Sequence, residues 1–420
     1  MVGFQSAIRY NADVMDALKL LIVLALIVIA LRRRLPVAVT LFGAGLVTAL
    51  LYLVDPTALL AGYWDLLKSK RFISLTAVIV FITALGQLLK ELGSLEQLTR
   101  KVKLLPGGDR TAVSLLPPLI GLMPMPAGAL LSAPLVANVL PSEQYRPEFR
   151  TAVNYWCRHV IEFCWPMYPG IILTEAITGL PLGSVALMQS PMSVVMFIVG
   201  LFFFLRRVGT ASSEPIRFWS ALIGILRAIW PIPLAIAIYG LFKTELALAV
   251  LLALVALILV ARPARKPLMN ALRKGFTWKL VFLVFGTLSF QTVLELTGAI
   301  AAIPKLTLEY NLPAELVIFL VCFVTGLLTG MVAAFVALGY TILAGYLYTP
   351  EIVPSHIFLA YLSGYLGMIL SPTHLCLVMT NEYFKSNLLK VYREIALPLI
   401  IVAGLGLIVY LSFWPDLFIP

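Results

Sequence analysis

The stretch TAVSLLPPLIGLMPMPAGALLSAPLVANVL, Thr111 to Leu140, sets five prolines and two glycines inside a run that otherwise reads as lipid-soluble. Proline removes a backbone N–H and clashes with the preceding turn, and glycine costs about 1 kcal/mol in a helix interior. Placing both where hydrocarbon should surround the chain builds an irregular backbone at membrane depth.

Hydrocarbon is the right reference because 61% of the 420 residues are hydrophobic and only 12% charged, where a soluble domain is nearer one quarter charged. Apolar runs long enough for about 30 Å of hydrocarbon recur along the whole length, with no polar block the size of a soluble domain. The composition therefore predicts an all-α polytopic protein of the cytoplasmic (inner) cell membrane, with the lipid bilayer as its surroundings. Crossings are expected near 17–31, 35–54, 72–90, 151–178, 184–205, 219–241, 244–261, 280–297, 355–380 and 395–413. Asp13 and Asp16 precede the first run and no small-residue cleavage site follows it, so that run is expected to stay as a helix.

A net charge of +11 invites a nucleic-acid reading, but Lys and Arg cluster in short loops beside apolar runs, which is how membrane orientation is encoded. The clusters Arg32–Arg34, Lys90–Arg110, Arg146 with Arg150, Arg206–Arg217, Arg262–Lys279 and Lys385–Arg393 are then cytoplasmic, and both termini lie outside. Lys68, Lys70 and Arg71 fall on the opposite side and are the exception. For the clusters flanking 111–140 to share one side, the stretch between them must enter and leave on that side, as a hairpin or as two full crossings; five prolines in 30 residues favour the hairpin's two short arms. The long stretch 313–348, with glycines near its middle, is read the same way, as a re-entrant hairpin or two full crossings.

The two halves correspond at an offset of about 205 residues: GLMPMPAGA (Gly121–Ala129) falls on GLLTGMVAA (Gly326–Ala334), and Pro166 falls on Pro372. Residues 1–210 and 211–420 then form two repeats. Each holds three crossings, a re-entrant hairpin (111–140, 313–348), a proline-broken crossing (151–178, 355–380) and one more crossing. Five crossings are odd, so the second repeat is inverted. Inverted repeats with paired interruptions point to a secondary transporter whose site lies near the bilayer midplane.

Candidate site residues follow from the interruptions, since backbone freed at membrane depth must be satisfied by protein, water or a ligand. They are the first tip Met123, Pro124, Met125, Pro126, Ala127 and Gly128, the first break with Trp165 and Pro166, and the second tip with Thr329 and Gly330. Ser371, Pro372, Thr373 and His374 mark the second break, and Asn381 adds an amide. Asn154, Arg158 and Glu162, spaced four apart, are expected on one helix face, with His159 beside them. Arg158 and Glu162 are read either as a static ion pair or as groups that bind solute or carry protons. Glu162 and His374 are the candidates for proton or ion coupling. Arg227 is read as snorkelling to the headgroups. Cys157, Cys164, Cys322 and Cys376 have no zinc spacing and are read as small packing residues. No metal or cofactor is expected, and no catalytic triad, Walker loop or dinucleotide fingerprint is present.

The stretches LLPPLIGLMPMPAGALLSAPLV and GYLGMILSPTHLCLVMTNEYF resemble signature segments of a prokaryotic integral membrane family classed as a domain of unknown function (type 401). That family is similar to the ion transporter superfamily, which includes carriers for dicarboxylates, citrate, gluconate and arsenite, and sodium/proton antiporters. The resemblance implies inverted repeats, hairpins and broken helices, often in a homodimer. Sodium-coupled dicarboxylate members carry Ser-Asn-Thr at both hairpin tips, whereas the tips here read Met-Pro-Met-Pro-Ala-Gly and Thr-Gly-Met. The expectation is a non-enzymatic, ion-coupled secondary transporter of a small anionic organic solute, with Na+ or H+ as coupling ion. The alternatives are a cation/proton antiporter of the same fold, or a lipid-modifying membrane enzyme using His159, Glu162 and His374.

Overall fold

The computed structural model describes residues 15, 16, 18, 19, 22–33, 35–122, 129–210, 217–276, 278–299 and 311–412. Among these there is helix and no strand, as the apolar periodicity requires. Lys70–Glu91, Leu182–Arg207, Pro354–Phe384 and Leu388–Ser412 are each long and apolar enough to cross a membrane. Shorter apolar helices include Val37–Leu51, Leu246–Ala261 and Ala314–Thr329. Outward faces carry exposed Leu187, Phe202, Leu259, Ile400 and Leu411, while Asn154, Arg158, His159, Glu162 and His374 are buried. Apolar outside and polar inside is the distribution of a membrane protein, because lipid accepts leucine and rejects charge.

Several expected boundaries move for identifiable reasons. The crossing expected at 219–241 is two helices, Phe218–Ile229 and Pro231–Phe242, bent by 72°; Pro231 and Pro233 remove the N–H groups that would carry the helix through Trp230. Pro56–Lys68, Ser94–Val102 and Arg265–Gly275 are helices where no crossing was expected. The first has Pro56 in its first turn and Asp55 capping Thr57 N, a favoured start. Ser94–Val102 buries Leu95, Leu98 and Val102 on one side and exposes Glu96, Gln97 and Arg100 on the other, so it is amphipathic rather than spanning.

The 111–140 stretch forms two arms, Gly108–Gly121 and Ala129–Val139, packed against each other. Its expected tip, Met123, Pro124, Met125, Pro126, Ala127 and Gly128, lies outside the described residues. In the second stretch Ala314–Thr329 ends at Gly330, which takes φ 61°, and the chain turns back as Val332–Phe335 and a π-helical turn, Val336–Tyr340. Gly339 lies against Cys322, on the opposite side of Gly330, so the two arms run back along each other.

Element starts recur through the chain. Gly108, Pro147, Pro169 and Leu182 open helices, and Ala314, Pro354, Leu375 and Leu388 open helices 206 or 207 residues later. Contacts recur too: an added Cβ at Gly121 would meet the carbonyl of Arg158, and one at Gly326 would meet that of Gly364.

Candidate functional site

Two helices are broken at their centres, and proline sets both breaks. The first has arms Pro147–His159 and Pro169–Thr178. Its helix stops seven residues before Pro166, because the ring of Pro166 would clash with the carbonyl of residue 162 in a continuous helix. Short turns replace it, with Glu162 N donating to His159 O (3.3 Å) and Cys164 N to Ile161 O (3.2 Å). The second has arms Pro354–Leu370 and Leu375–Phe384. There Ser371 is extended (φ −70°, ψ 124°), as a residue ahead of proline prefers.

The breaks meet. Leu375–Phe384 packs on Pro147–His159, with Asn154 Nδ2 donating to Thr380 Oγ1 (3.0 Å) and Thr151 Oγ1 2.7 Å from Ser386 Oγ. Carbonyls left over at the breaks are taken by tyrosines across the junction. Tyr155 O–H donates to Ile369 O (2.9 Å), Tyr361 O–H to Glu162 O (3.2 Å) and Tyr365 O–H to His159 O (2.5 Å). The bonds to Ile369 O and Glu162 O satisfy carbonyls freed at the breaks, and the bond to His159 O adds to the one from Glu162 N.

At the centre His159 Nε2 and His374 Nε2 lie 2.9 Å apart. Each ring is also fixed from behind: His159 Nδ1 donates to Tyr155 O and His374 Nδ1 to Gly330 O, both at 2.6 Å. A carbonyl oxygen only accepts, so both Nδ1 atoms carry hydrogen, and in its neutral form each ring has only a lone pair on Nε2 to point at the other. The Tyr155 ring packs against both imidazoles, with centroids 4.7 and 5.5 Å away. The Cys376 Sγ completes the group: the ligand atoms of His159, His374 and Cys376 all lie within 4.8 Å of one another.

Arg158 and Glu162 do not form the ion pair read from their spacing. That spacing puts them on one face only if the helix continues, and it ends at His159. Glu162 instead lies 3.8 Å from His159 Nε2. Both Glu162 carboxylate oxygens, and Nε and Nη1 of Arg158, are buried without a hydrogen-bond partner among the described residues. The Arg158 guanidinium lies beside Gly121, the last residue of the first hairpin arm.

The other expected residues divide. Gly330 is in the cluster through its carbonyl, and an added Cβ there would stand 2.7 Å from His374 N. Ser371 Oγ and Thr373 Oγ1 bond each other at 2.9 Å, while Pro372 and Thr373 are exposed at the rim. Thr329 bonds back to Thr325 O in its own helix. Trp165 and Pro166 are half-buried at the first break, the Trp165 Nε1 without a partner among the described residues. Asn381 accepts from Ser386 Oγ (2.6 Å) at the far end of its helix and is not brought to the histidines. Cys376, read from sequence as packing, belongs to the cluster; its signal was the spacing His374-Leu375-Cys376, completed only by a residue from the other half.

A separate cleft of about 740 Å³ is lined by Lys70, Arg71, Glu175, Tyr239 and Glu245, none of them an expected site residue. Two of the exceptional charges line it, Lys70 paired with Glu245 (2.6 Å) and Arg71 donating to Gln291 (2.8 Å), while Lys68 sits over Trp64 outside it. Arg227 is exposed on the Phe218–Ile229 helix, where snorkelling needs it.

Residues 15–413 match the family described as "Protein of unknown function (DUF401)". No curated protein matches the chain. With the match running over most of its length, the chain belongs to that family.

Proposed function

We propose that this family member is an ion-coupled secondary transporter of a small, anionic organic solute, working by alternating access. The observation that carries the reading is the meeting of two helix breaks, one from each half, in a buried cluster where Arg158 and Glu162 keep unpartnered polar atoms. Leaving a buried charged group unpaired costs on the order of several kcal/mol, and a purely structural core would pair or delete both. A solute and a coupling ion supply the missing partners.

The recurrence of elements at 206–207 residues supports an inverted repeat of residues 1–210 and 211–420, because an odd number of crossings in each reverses the second. The arm Gly108–Gly121 holds 14 residues. At 1.5 Å per residue it spans only about 21 Å, short of the roughly 30 Å of hydrocarbon, which favours a re-entrant hairpin. Both features are those of the ion transporter superfamily, to which we assign the chain. Arg158, at the hairpin's inner end, takes the anion, and Glu162 takes the coupling Na+ or H+.

The test is a thermal-shift series of small anions on the purified protein with and without sodium, followed by uptake into proteoliposomes under imposed ion gradients. A solute that raises the apparent Tm and accumulates only when a gradient is applied supports the reading. Sodium-dependent proton flux without any organic solute would replace it with a cation/proton antiporter, the reading that the free carboxylate of Glu162 favours. No anion shift and no flux of either kind would overturn both.

A further inference from the structure

We propose that His159, His374 and Cys376 form a binding site for a borderline transition-metal cation of the zinc class, with the fourth coordination position left open to an anionic ligand. Both Nδ1 atoms are committed to backbone carbonyls at 2.6 Å, which is the support that metal-binding histidines have: the rear N–H donates, the tautomer is fixed, and Nε2 presents its lone pair. Two such lone pairs facing each other at 2.9 Å repel unless a cation lies between them.

The spacing fits a metal. With Zn–N bonds of about 2.05 Å, two nitrogens on a tetrahedral ion stand about 3.3 Å apart, so the rings need to part by only about 0.4 Å. The Cys376 Sγ lies within 4.8 Å of a ring nitrogen of each histidine; on a tetrahedral ion with a metal–sulfur bond of about 2.3 Å, sulfur and nitrogen stand about 3.6 Å apart, so the thiol has to close by about 1.2 Å at most. Two imidazoles and a thiolate select zinc, cobalt or copper over sodium, magnesium or calcium, which prefer oxygen.

Binding is balanced as M2+ plus the Cys376 thiol giving a metal–sulfur bond and one released proton. The imidazoles enter neutral and release none. Two neutral imidazoles and one thiolate leave the bound divalent ion with one positive charge. Glu162, 3.8 Å from His159 Nε2, cancels that charge, and the buried Arg158 guanidinium, with Nε and Nη1 unpartnered among the described residues, then leaves the pocket net positive. An anion on the open position meets both the metal and Arg158. That last step rests on the transporter reading; the metal site does not.

The experiment uses the full chain without a histidine tag, in detergent, stripped with a chelator and titrated with Co2+. One equivalent per chain should bind with the visible bands of a tetrahedral site and a near-ultraviolet sulfur-to-cobalt charge-transfer band, release one proton, and be displaced by Zn2+. Cys376→Ser, nearly isosteric, should lose the charge-transfer band, and Cys376→Ser and His374→Gln should each weaken affinity by more than about tenfold. Apparent Tm without metal, measured on the same samples, shows that the variants are folded. No cobalt binding by wild type, or the same spectrum and affinity in wild type and both folded variants, overturns the site; in the first case a proton alone bridges the histidines. Cobalt bound at this site with no solute flux would refute the transporter and keep the site, and flux without cobalt binding would do the reverse.

Discussion

A single methyl group at Gly326 or Gly367 should force apart the two helices that hold the second break. Ala314–Thr329 and Pro354–Leu370 touch backbone to backbone: a Cβ at Gly326 would stand 2.1 Å from the Gly364 carbonyl oxygen, and one at Gly367 the same distance from that of Phe323. An ordinary carbon–oxygen contact needs about 3.3 Å, so the helices must retreat by about 1.2 Å, and no rotamer change relieves a clash with backbone. Overpacking of this kind costs about 1–3 kcal/mol, offset by about 1 kcal/mol of helix propensity gained when alanine replaces glycine. The net expectation is a loss of up to about 2 kcal/mol. At Gly404, in the Leu388–Ser412 helix with nothing within 4 Å of the added Cβ, the same substitution keeps only the gain.

The sign of the effect is therefore the test, read as apparent Tm of the purified variants in one detergent. Gly326→Ala and Gly367→Ala should fall below wild type by several degrees while Gly404→Ala matches or exceeds it. Retreat of the Ala314–Thr329 helix also carries the Gly330 carbonyl away from His374 Nδ1, now 2.6 Å distant, so Gly326→Ala should weaken cobalt binding as well. If all three alanine variants shift in the same direction, the helices are not in backbone contact and the reasoning fails.

Arg158→Met should leave stability unchanged or raised while abolishing any anion-induced thermal shift, because methionine fills the space without burying an unpartnered charge; a variant that retains the shift would show that Arg158 does not bind the anion. The Glu245 carboxyl is held below its ordinary value of 4.5 by hydrogen bonds from Lys70 and Ser74. Its stabilising contribution is present above that value and lost as pH falls through the depressed one. The Tm profiles of wild type and Glu245→Gln should accordingly separate above pH 4.5 and converge in stronger acid; a constant difference at all pH values would contradict the link. Single cysteines at Lys103 and Arg146 should label from the same face of sealed vesicles, and labelling from opposite faces would rule out the hairpin between them.

The membrane class and both breaks are legible in the sequence, because proline, glycine and apolar run length act locally. It placed Arg158 and Glu162 on one face by extending helical periodicity across a break whose start lies at Val160, well ahead of the proline that causes it. It passed over Cys376 and the facing of His159 with His374, because those partners sit 215 residues apart and nothing in a local spacing encodes contact between halves. The bend at Trp230 was visible as WPIP but is indistinguishable by composition from an ordinary proline-tolerant crossing. The amphipathic helix Ser94–Val102 was taken for a basic loop, since its charge is more conspicuous than the three buried apolar residues beneath it.

The two breaks share a frame but not a chemistry, and the difference places the site. Tyr155 and Tyr361, 206 residues apart, each donate to a carbonyl of the opposite break, Ile369 O and Glu162 O. That reciprocity is what two related halves would build to satisfy backbone freed at depth. The functional side chains do not follow it: positions 206 residues after Arg158, His159 and Glu162 hold Gly364, Tyr365 and Met368. Gly364 gives its carbonyl to the close approach of Gly326, and a side chain at Gly364 would meet the ring of Phe335, 2.2 Å from its added Cβ. The second half therefore spends this turn on packing, and the equivalent turn of the first half, where Gly121 meets the Arg158 carbonyl less tightly, at 3.2 Å from its added Cβ, has room for a guanidinium. A cluster built this way binds on one side of a symmetric junction. Movement of either half against the other breaks the tyrosine bonds in pairs, while His374, tied to Gly330, moves with the second hairpin and His159 stays with the first half. If the transporter and metal-site proposals both hold, a cation bridging the two imidazoles ties the halves together, and its release would be the step that frees them to move.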